Sequence, residues 1–290
     1  MAAKKPSPHV HTPKNLNTLL ALYQKLPEAQ LYAGGTGILW NQNLPEPELA
    51  PEVISLDGVA ELKNISRTES YLEIGAAVPL NRILGIGRHV LASSFYTALT
   101  QVGNPVVRNF ATLGGNLARK DFWMDLIPPL LLLDVRLELR RQGNSEWIPM
   151  VKFLERSPLF HEGELITRIR IPLEEWNIQH YRRFRPEEFG EGNDLTFCVL
   201  ANVQKGYINR FRLALGAHRN LIIRNREMEN AVEGKKLPLN SRDIVPLQEL
   251  LQQTLENVQP ALSPLQKTLI TRSILWFLLR HMENSGDRPA

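Results

Sequence analysis

The stretch Leu31-Tyr32-Ala33-Gly34-Gly35-Thr36-Gly37 runs from a strand-forming segment into a glycine doublet, and a second such turn lies at Val107-Arg108-Asn109-Phe110-Ala111-Thr112-Leu113-Gly114-Gly115-Asn116. A glycine pair there leaves the backbone bare, so a ligand can come close and successive N–H groups can point at one place. At a helix N-terminus such a group favours an anion, and a pyrophosphate is a natural guest. Each N–H bond to a charged oxygen contributes on the order of 1.5–3 kcal/mol, so a few together hold a diphosphate. Thr36 adds a hydroxyl to the first turn, and Thr112 and Asn116 flank the second. Taken singly, either doublet also reads as a plain tight turn. Two of them can grip two ends of one long ligand. Neither fits G-x-G-x-x-G or the phosphate loop, which disfavours a Rossmann or nucleotide-hydrolysing reading.

Working outward, Thr12-Pro13 predicts a helix start, with Thr12 as N-cap and Pro13 at the first helical position. Leu16, Leu19, Leu20, Tyr23 and Leu26 repeat at helical spacing until Pro27. Strands are expected over 30–33 and 52–56, and a short helix opening within 38–40. That alternation suits a small parallel-stranded unit. Beyond Asp57-Gly58, strands are predicted at 71–74, 136–140, 147–149 and 164–171, with helices at 80–84 and within 88–101. The apolar run 126–135 is expected to be broken by Pro128 and Pro129. From about His180 the texture changes again. Strands over 195–204 and 210–217 meet at a Lys205-Gly206 hairpin, and helices over 241–256 and 263–282 follow. The last carries Leu265, Leu269, Ile270, Ile274, Phe277 and Leu278 on one face. The fold class is therefore α+β: a small parallel βαβ unit over about 1–57, a mixed or antiparallel sheet with helices over 58–177, and an α+β C-terminal domain over 178–290.

Composition narrows the function. The chain has 290 residues, 43% hydrophobic and 22% charged, with a formal net charge of +4. That bias is too small to argue nucleic-acid binding without a clustered basic face. The one cysteine, Cys198, lies in an apolar run and reads as a buried structural thiol; it excludes an internal disulfide and a cysteine-held iron–sulfur cluster within the chain. No apolar run approaches the roughly 20 residues that span a bilayer, and a cytoplasmic protein without a membrane span is expected.

The segments Ala33-Gly34-Gly35-Thr36 and Arg108-Asn109-Phe110-Ala111-Thr112-Leu113-Gly114-Gly115-Asn116, with Asp125 nine residues on, resemble the FAD-binding medium subunit of the xanthine dehydrogenase and carbon monoxide dehydrogenase (molybdenum hydroxylase) family. Glu73-Ile74-Gly75-Ala76, and Glu164-Leu165-Ile166 leading to Ile169-Arg170-Ile171-Pro172, extend the likeness over nearly the whole chain. The resemblance implies FAD as cofactor, with 1–177 as the FAD-binding domain. Ala33, Gly34, Gly35, Thr36, Gly37 and Ile38 would wrap the pyrophosphate. Thr112, Gly115 and Asn116 would hold the diphosphate and ribityl region, Asp125 the adenosine ribose, and Ile166 would pack near the adenine or flavin ring. Arg183 or Arg185 lies closest to the place of a lysine found near the flavin in some relatives. The chain departs from the family at Gly37, where a polar residue is usual, and at Arg119-Lys120-Asp121-Phe122-Trp123, where small residues are usual.

The implied partners are a molybdopterin-containing large subunit and a small subunit with two-iron two-sulfur clusters, with NAD as a common electron acceptor. No residue is expected to be catalytic, since the isoalloxazine performs the redox step. Two other readings stay open: a flavin-free scaffold subunit, for which Gly37 and the 119–123 segment speak, and a flavoenzyme acting alone. Among the remaining polar residues, Arg182, Arg183 and Arg185 could meet phosphates or an acidic partner, or face solvent. His9 and His11 lie in what reads as a loose start, without a carboxylate or cysteine at ligand spacing, so no metal site is expected.

Overall fold

The computed structural model describes residues 7–40, 42, 47–119, 123–185, 195–217, 221–257 and 262–281, less the side chains of 123, 124, 221, 280 and 281. It begins with β1 (His9–His11), α1 (Leu16–Lys25), β2 (Gln30–Tyr32), α2 (Thr36–Leu39) and β3 (Glu52–Ser55). Next come β4 (Ile65–Arg67), β5 (Tyr71–Gly75), α3 (Leu80–Leu84), α4 (Ser93–Gln101), α5 (Pro105–Phe110), α6 (Leu113–Ala118) and α7 (Trp123–Leu132). Then follow β6 (Arg136–Arg141), β7 (Asn144–Pro149), α8 (Met150–Leu154), β8 (Leu165–Pro172), β9 (Ile178–Phe184), β10 (Leu195–Gln204), β11 (Tyr207–Ala217) and β12 (Leu221–Ile223). The described chain closes with α9 (Arg226–Asn230), α10 (Ser241–Glu256), α11 (Pro264–Trp276) and a π-helical turn at Phe277–His281.

These elements form two compact units, between which the chain passes repeatedly. The first comprises Met1–Gly87, Val102–Arg119 and Leu133–Leu173, the second Arg88–Gln101, Lys120–Leu132 and Glu174–Ala290. The sequence reading drew its domain boundary at 177/178, with a subdomain boundary near 57/58, and the last passage is at 173/174. It did not foresee that 88–101 and 120–132 join the later residues, because this grouping depends on long-range packing of α4 and α7 against β9 and β10.

In the first unit, β1, β3 and β2 make a three-stranded parallel sheet in that order. Leu16, Leu19 and Leu20 of α1 are buried with Ile54, Leu56 and Leu62. The cap of α1 is Asn15 rather than Thr12: its Oδ1 accepts from the Thr18 N–H at 2.8 Å and the Thr18 hydroxyl at 2.9 Å. Asn outranks Thr as an N-cap, and residues 9–11 are held extended as β1.

A five-stranded antiparallel sheet follows, in the order β4-β5-β8-β6-β7. Between β6 and β8 the register shifts, so that Glu138 faces Arg168 and Leu139 faces Ile166, leaving Thr167 as the extra residue of a bulge. The bulge gathers charge. Glu138 accepts from Arg168 Nε at 2.7 Å, Arg168 Nη2 at 2.8 Å, the Thr167 hydroxyl at 2.6 Å and Arg140 Nη2 at 2.8 Å. Glu73 accepts from Arg170 Nε at 2.8 Å, and the Arg170 guanidinium lies over the rings of Tyr71 and Trp147.

The second unit holds an antiparallel sheet ordered β12-β11-β10-β9. Lys205 and Gly206 both have positive φ, as a two-residue primed turn requires. The core includes Phe197, Phe211, Leu213, Leu247, Leu251, Ile270, Ile274 and Phe277. On α11 and the π-helical turn that follows it the expected apolar face holds at Ile270, Ile274, Phe277 and Leu278, but Leu265 is half exposed and Gln266 is buried in its place. Gln266 completes a capping box with Ser263, which turns Leu265 outward. Cys198 is fully buried, and burial pushes its thiol pKa up.

The proline-bearing run is not broken: α7 continues through Pro128 and Pro129. Pro129 has no N–H to give the Asp125 carbonyl, and the Tyr181 hydroxyl donates to that carbonyl instead, at 3.0 Å. At the other end, Arg224 donates to the Leu131 carbonyl at 3.1 Å and Arg212 to the Leu132 carbonyl. Cations there also complement the helix dipole.

Burial opposes the charge on Glu138, yet the bonds from Arg168, Thr167 and Arg140 outweigh it and hold its carboxyl down at about 2. A depressed carboxylate stabilises the fold above its unfolded pKa and loses that contribution as pH falls through the folded one. Urea midpoints should therefore fall as pH drops from about 4.5 towards about 2. Glu138→Gln should flatten that slope and cost about 2 kcal/mol at neutral pH, the scale of hydrogen bonds to a charged group. An unchanged acid slope in the variant would remove Glu138 from this role.

Candidate functional site

The two glycine turns meet in the first unit. A Cβ on Gly34 would overlap the carbonyl oxygen of Phe110, the last residue of α5, so the missing side chain lets the first turn seat on the second. Gly35, at φ +70°, sits in the left-handed region that glycine favours and forms the N-cap of α2. Arg119 adds a second tie: its Nη1 donates to the Gly37 carbonyl at 2.7 Å. Residues 37 and 119, both departures from the expected pattern, are thus bonded to one another.

The second turn is anchored from below. The Leu80 N–H donates to the Ala111 carbonyl at 2.8 Å and the Gly114 N–H to the Ala76 carbonyl at 2.8 Å. A Cβ on Gly114 would lie 2.6 Å from the Ala76 Cβ, so this residue serves packing. Thr112 is the N-cap of α6, its Oγ1 accepting from the Gly115 N–H at 3.1 Å. The hydroxyl hydrogen of Thr112 remains to donate.

What the turns leave unsatisfied gives the site its chemistry. Among the described residues, no protein acceptor meets the N–H groups of Gly34, Gly35, Thr36 or Gly37. The Asn116 Oδ1 is buried without a hydrogen-bond partner. Buried acceptors are nearly always satisfied. The set therefore combines backbone donors suited to anionic oxygens with a buried acceptor suited to a hydroxyl, which fits a dinucleotide carrying a diphosphate and a polyol chain. Ala33 and Ile38 flank the first turn, partly exposed, and Ile166 is buried in β8 beside the bulge.

Asp125 and Arg183 belong to the second unit and are brought together there. The Arg183 Nη1 lies 2.7 Å from the Asp125 Oδ1, with both side chains largely buried, and also donates to the Gln101 carbonyl at 3.3 Å. Arg183 is therefore an ion-pair partner rather than a solvated strand residue. Arg182 is exposed and lies over the Phe184 ring. Residues 120–122, part of the other departure from the family pattern, lie outside the described residues.

Sequence reasoning missed Arg119, which looked like a departure and closes the site. It also missed the pairing of Arg183 with Asp125. Only a residue's odd character in the pattern marked the first, and nothing local marked the second. At the N-terminus, His9 and His11 are an ordered edge strand rather than a loose start, and Glu52 supplies a carboxylate from across the sheet.

A pair of seated glycine turns with free backbone donors suits a dinucleotide cofactor. Residues 5–174 match the family described as the FAD binding domain in molybdopterin dehydrogenase. The chain belongs to that family, and is an FAD-dependent oxidoreductase component. It is 23% identical over 260 residues to the xanthine dehydrogenase FAD-binding subunit of Escherichia coli O157:H7, covering 86% of each chain. It is 26% identical over 227 residues to the indole-3-acetaldehyde oxidase of Arabidopsis thaliana, covering 71% of this chain but spanning only 17% of that much longer relative. In fold it is similar to a chain of the carbon monoxide dehydrogenase from Hydrogenophaga pseudoflava, at TM-score 0.78 and 20% identity, covering 97% of both chains. Among the described residues no helix is long and apolar enough to cross a membrane.

Gly34→Ala should cost about 3 kcal/mol in urea unfolding, the upper end for overpacking, because the added methyl meets backbone that cannot swing aside. A midpoint equal to the parent's would mean that the Phe110 carbonyl does not sit against residue 34.

Proposed function

We propose that this chain is the flavin-carrying subunit of a multi-subunit molybdenum hydroxylase. It would take electrons from two-iron two-sulfur clusters in a partner subunit and deliver them through FAD to an acceptor such as NAD. The reading rests chiefly on one observation: the Asn116 acceptor is buried without a partner, while the N–H groups of residues 34 to 37 meet no protein acceptor among the described residues. Family membership gives the group those atoms would hold. When bound, FAD supplies the redox chemistry, and the protein supplies binding, orientation and electrostatics.

In this proposal the backbone of Gly34, Gly35, Thr36 and Gly37 binds the diphosphate oxygens. Thr112 donates its hydroxyl hydrogen to the cofactor, and Asn116 Oδ1 accepts from a ribityl hydroxyl. Gly115 keeps its N–H for capping α6, so its part is to bring the backbone close. Arg119 fixes the Gly37 carbonyl, which keeps the first-turn amides aimed. Asp125, held by Arg183 at 2.7 Å, is assigned to the adenosine ribose. Ile166, and Ile38 with Ala33, line the apolar sides of the ring systems. A single, buried cysteine cannot hold an iron–sulfur cluster, so in this proposal the clusters, like the molybdopterin centre, lie outside these residues. Val106 and Phe110, exposed one turn apart on α5, give an apolar face on which such a partner could rest.

The purified chain should show a flavin absorbance spectrum and release FAD in near-equal amount on denaturation. Asn116→Leu removes the buried acceptor without leaving a new unpaired group. Its cofactor-free urea midpoint should hold or rise, while FAD affinity falls about tenfold, the scale of one hydrogen bond of 1–1.5 kcal/mol. A colourless parent chain that takes up no added FAD would instead establish the scaffold reading.

A further inference from the structure

At the far edge of the parallel sheet from β2, β1 carries His9 and His11 on the same face, two residues apart. In register with His9 on the neighbouring strand is Glu52. The His9 Nδ1 lies 3.3 Å and the His11 Nε2 2.6 Å from one and the same oxygen, the Glu52 Oε2. Three potential ligand atoms, one from each residue, all fall within 4.8 Å of one another. The two imidazole rings stand 4.2 Å apart at a tilt of 58°. One site thus joins two borderline nitrogen donors and a carboxylate, brought together across 41 positions of sequence by strand pairing.

We propose that His9, His11 and Glu52 bind a divalent transition cation of the zinc class. Two histidines and one carboxylate are a recurring ligand set for such ions, with the remaining positions left to water. Zinc–ligand bonds of roughly 2.1 Å put ligand atoms about 3.4 Å apart in a tetrahedron. The His9–Glu52 separation of 3.3 Å already meets that spacing. The His11–Glu52 pair, now at hydrogen-bond distance, opens by under 1 Å when the cation replaces the shared proton. With His9 largely exposed, ions reach the site without any opening of the fold. A bound cation would fasten the three-residue β1 to β3, whose other neighbour, β2, leads into the first glycine turn. This site is independent of the flavin reading.

The test uses the full chain as purified, stripped with a chelator, dialysed and titrated with zinc chloride near neutral pH by calorimetry. One zinc per chain is expected, with a rise in thermal midpoint. His9→Ala and Glu52→Gln should each weaken binding by about 10–100-fold, the scale seen when even a supporting group of a metal site is lost, and abolish the thermal shift. Flavin content should not change, which separates failure here from failure of the flavin assignment. His161→Ala, away from the cluster, should bind as the parent does. No uptake by the parent chain overturns the proposal. So does zinc binding that survives His9→Ala, or that His161→Ala weakens equally.

Discussion

The carbonyl oxygen of Phe110 occupies the space that any side chain at position 34 would need, and the first unit is organised around that contact. Because residue 34 is glycine, the turn after β2 can lie directly on the end of α5. Because Ala111, just beyond it, accepts from Leu80 N–H, that end is fixed to the sheet side of the unit. Two turns separated by about 80 residues of chain become one surface. Arg119 then reaches back to the Gly37 carbonyl at 2.7 Å, and closes the loop from the opposite side. Each tie uses backbone on at least one side, so it constrains main-chain position rather than side-chain choice.

Much of this was legible in the sequence, for an identifiable reason. Glycine doublets, primed-turn dipeptides and alternating strands are local rules. The parallel unit, the Lys205-Gly206 hairpin and the antiparallel sheets follow from them directly. What stayed hidden depends on atoms far apart in the chain. Thr12-Pro13 also satisfies the local cap rule, and the pairing of β1 with β3 leaves the position to Asn15, the better cap. His9 and His11 lacked a carboxylate at ligand spacing because Glu52 arrives through the sheet. Arg119 stood out from the expected pattern, but its bond to Gly37 requires both turns to be folded.

The helix α7 shows how a local rule can be correct and still mislead. Prolines do remove helical hydrogen bonds, and the loss is real at the Asp125 carbonyl. The second unit supplies the missing donor from Tyr181, and the last carbonyls are met by Arg224 and Arg212. A break predicted from sequence becomes a helix because neighbouring strands satisfy the orphaned groups. The same region binds Asp125 to Arg183. One strand, β9, therefore holds both the backbone and the side chain of residue 125 through Tyr181 and Arg183, which fixes its direction as well as its position.

That contrast separates structure from function within the chain. Where a polar group is exposed by an irregularity, the protein usually answers it. The β8 bulge places Thr167 out of the ladder, and its hydroxyl goes to Glu138. The prolines of α7 are answered by a tyrosine. At the glycine turns the answer is withheld: the amides of residues 34 to 37 and the Asn116 Oδ1 have no protein partner among the described residues. A buried acceptor left unpaired costs about 1–3 kcal/mol. Repacking with an apolar residue of Asn116's size would remove that cost. Under the proposed function, a cofactor hydroxyl at Asn116 and diphosphate oxygens at the amides would make the bonds that the protein alone leaves unmade.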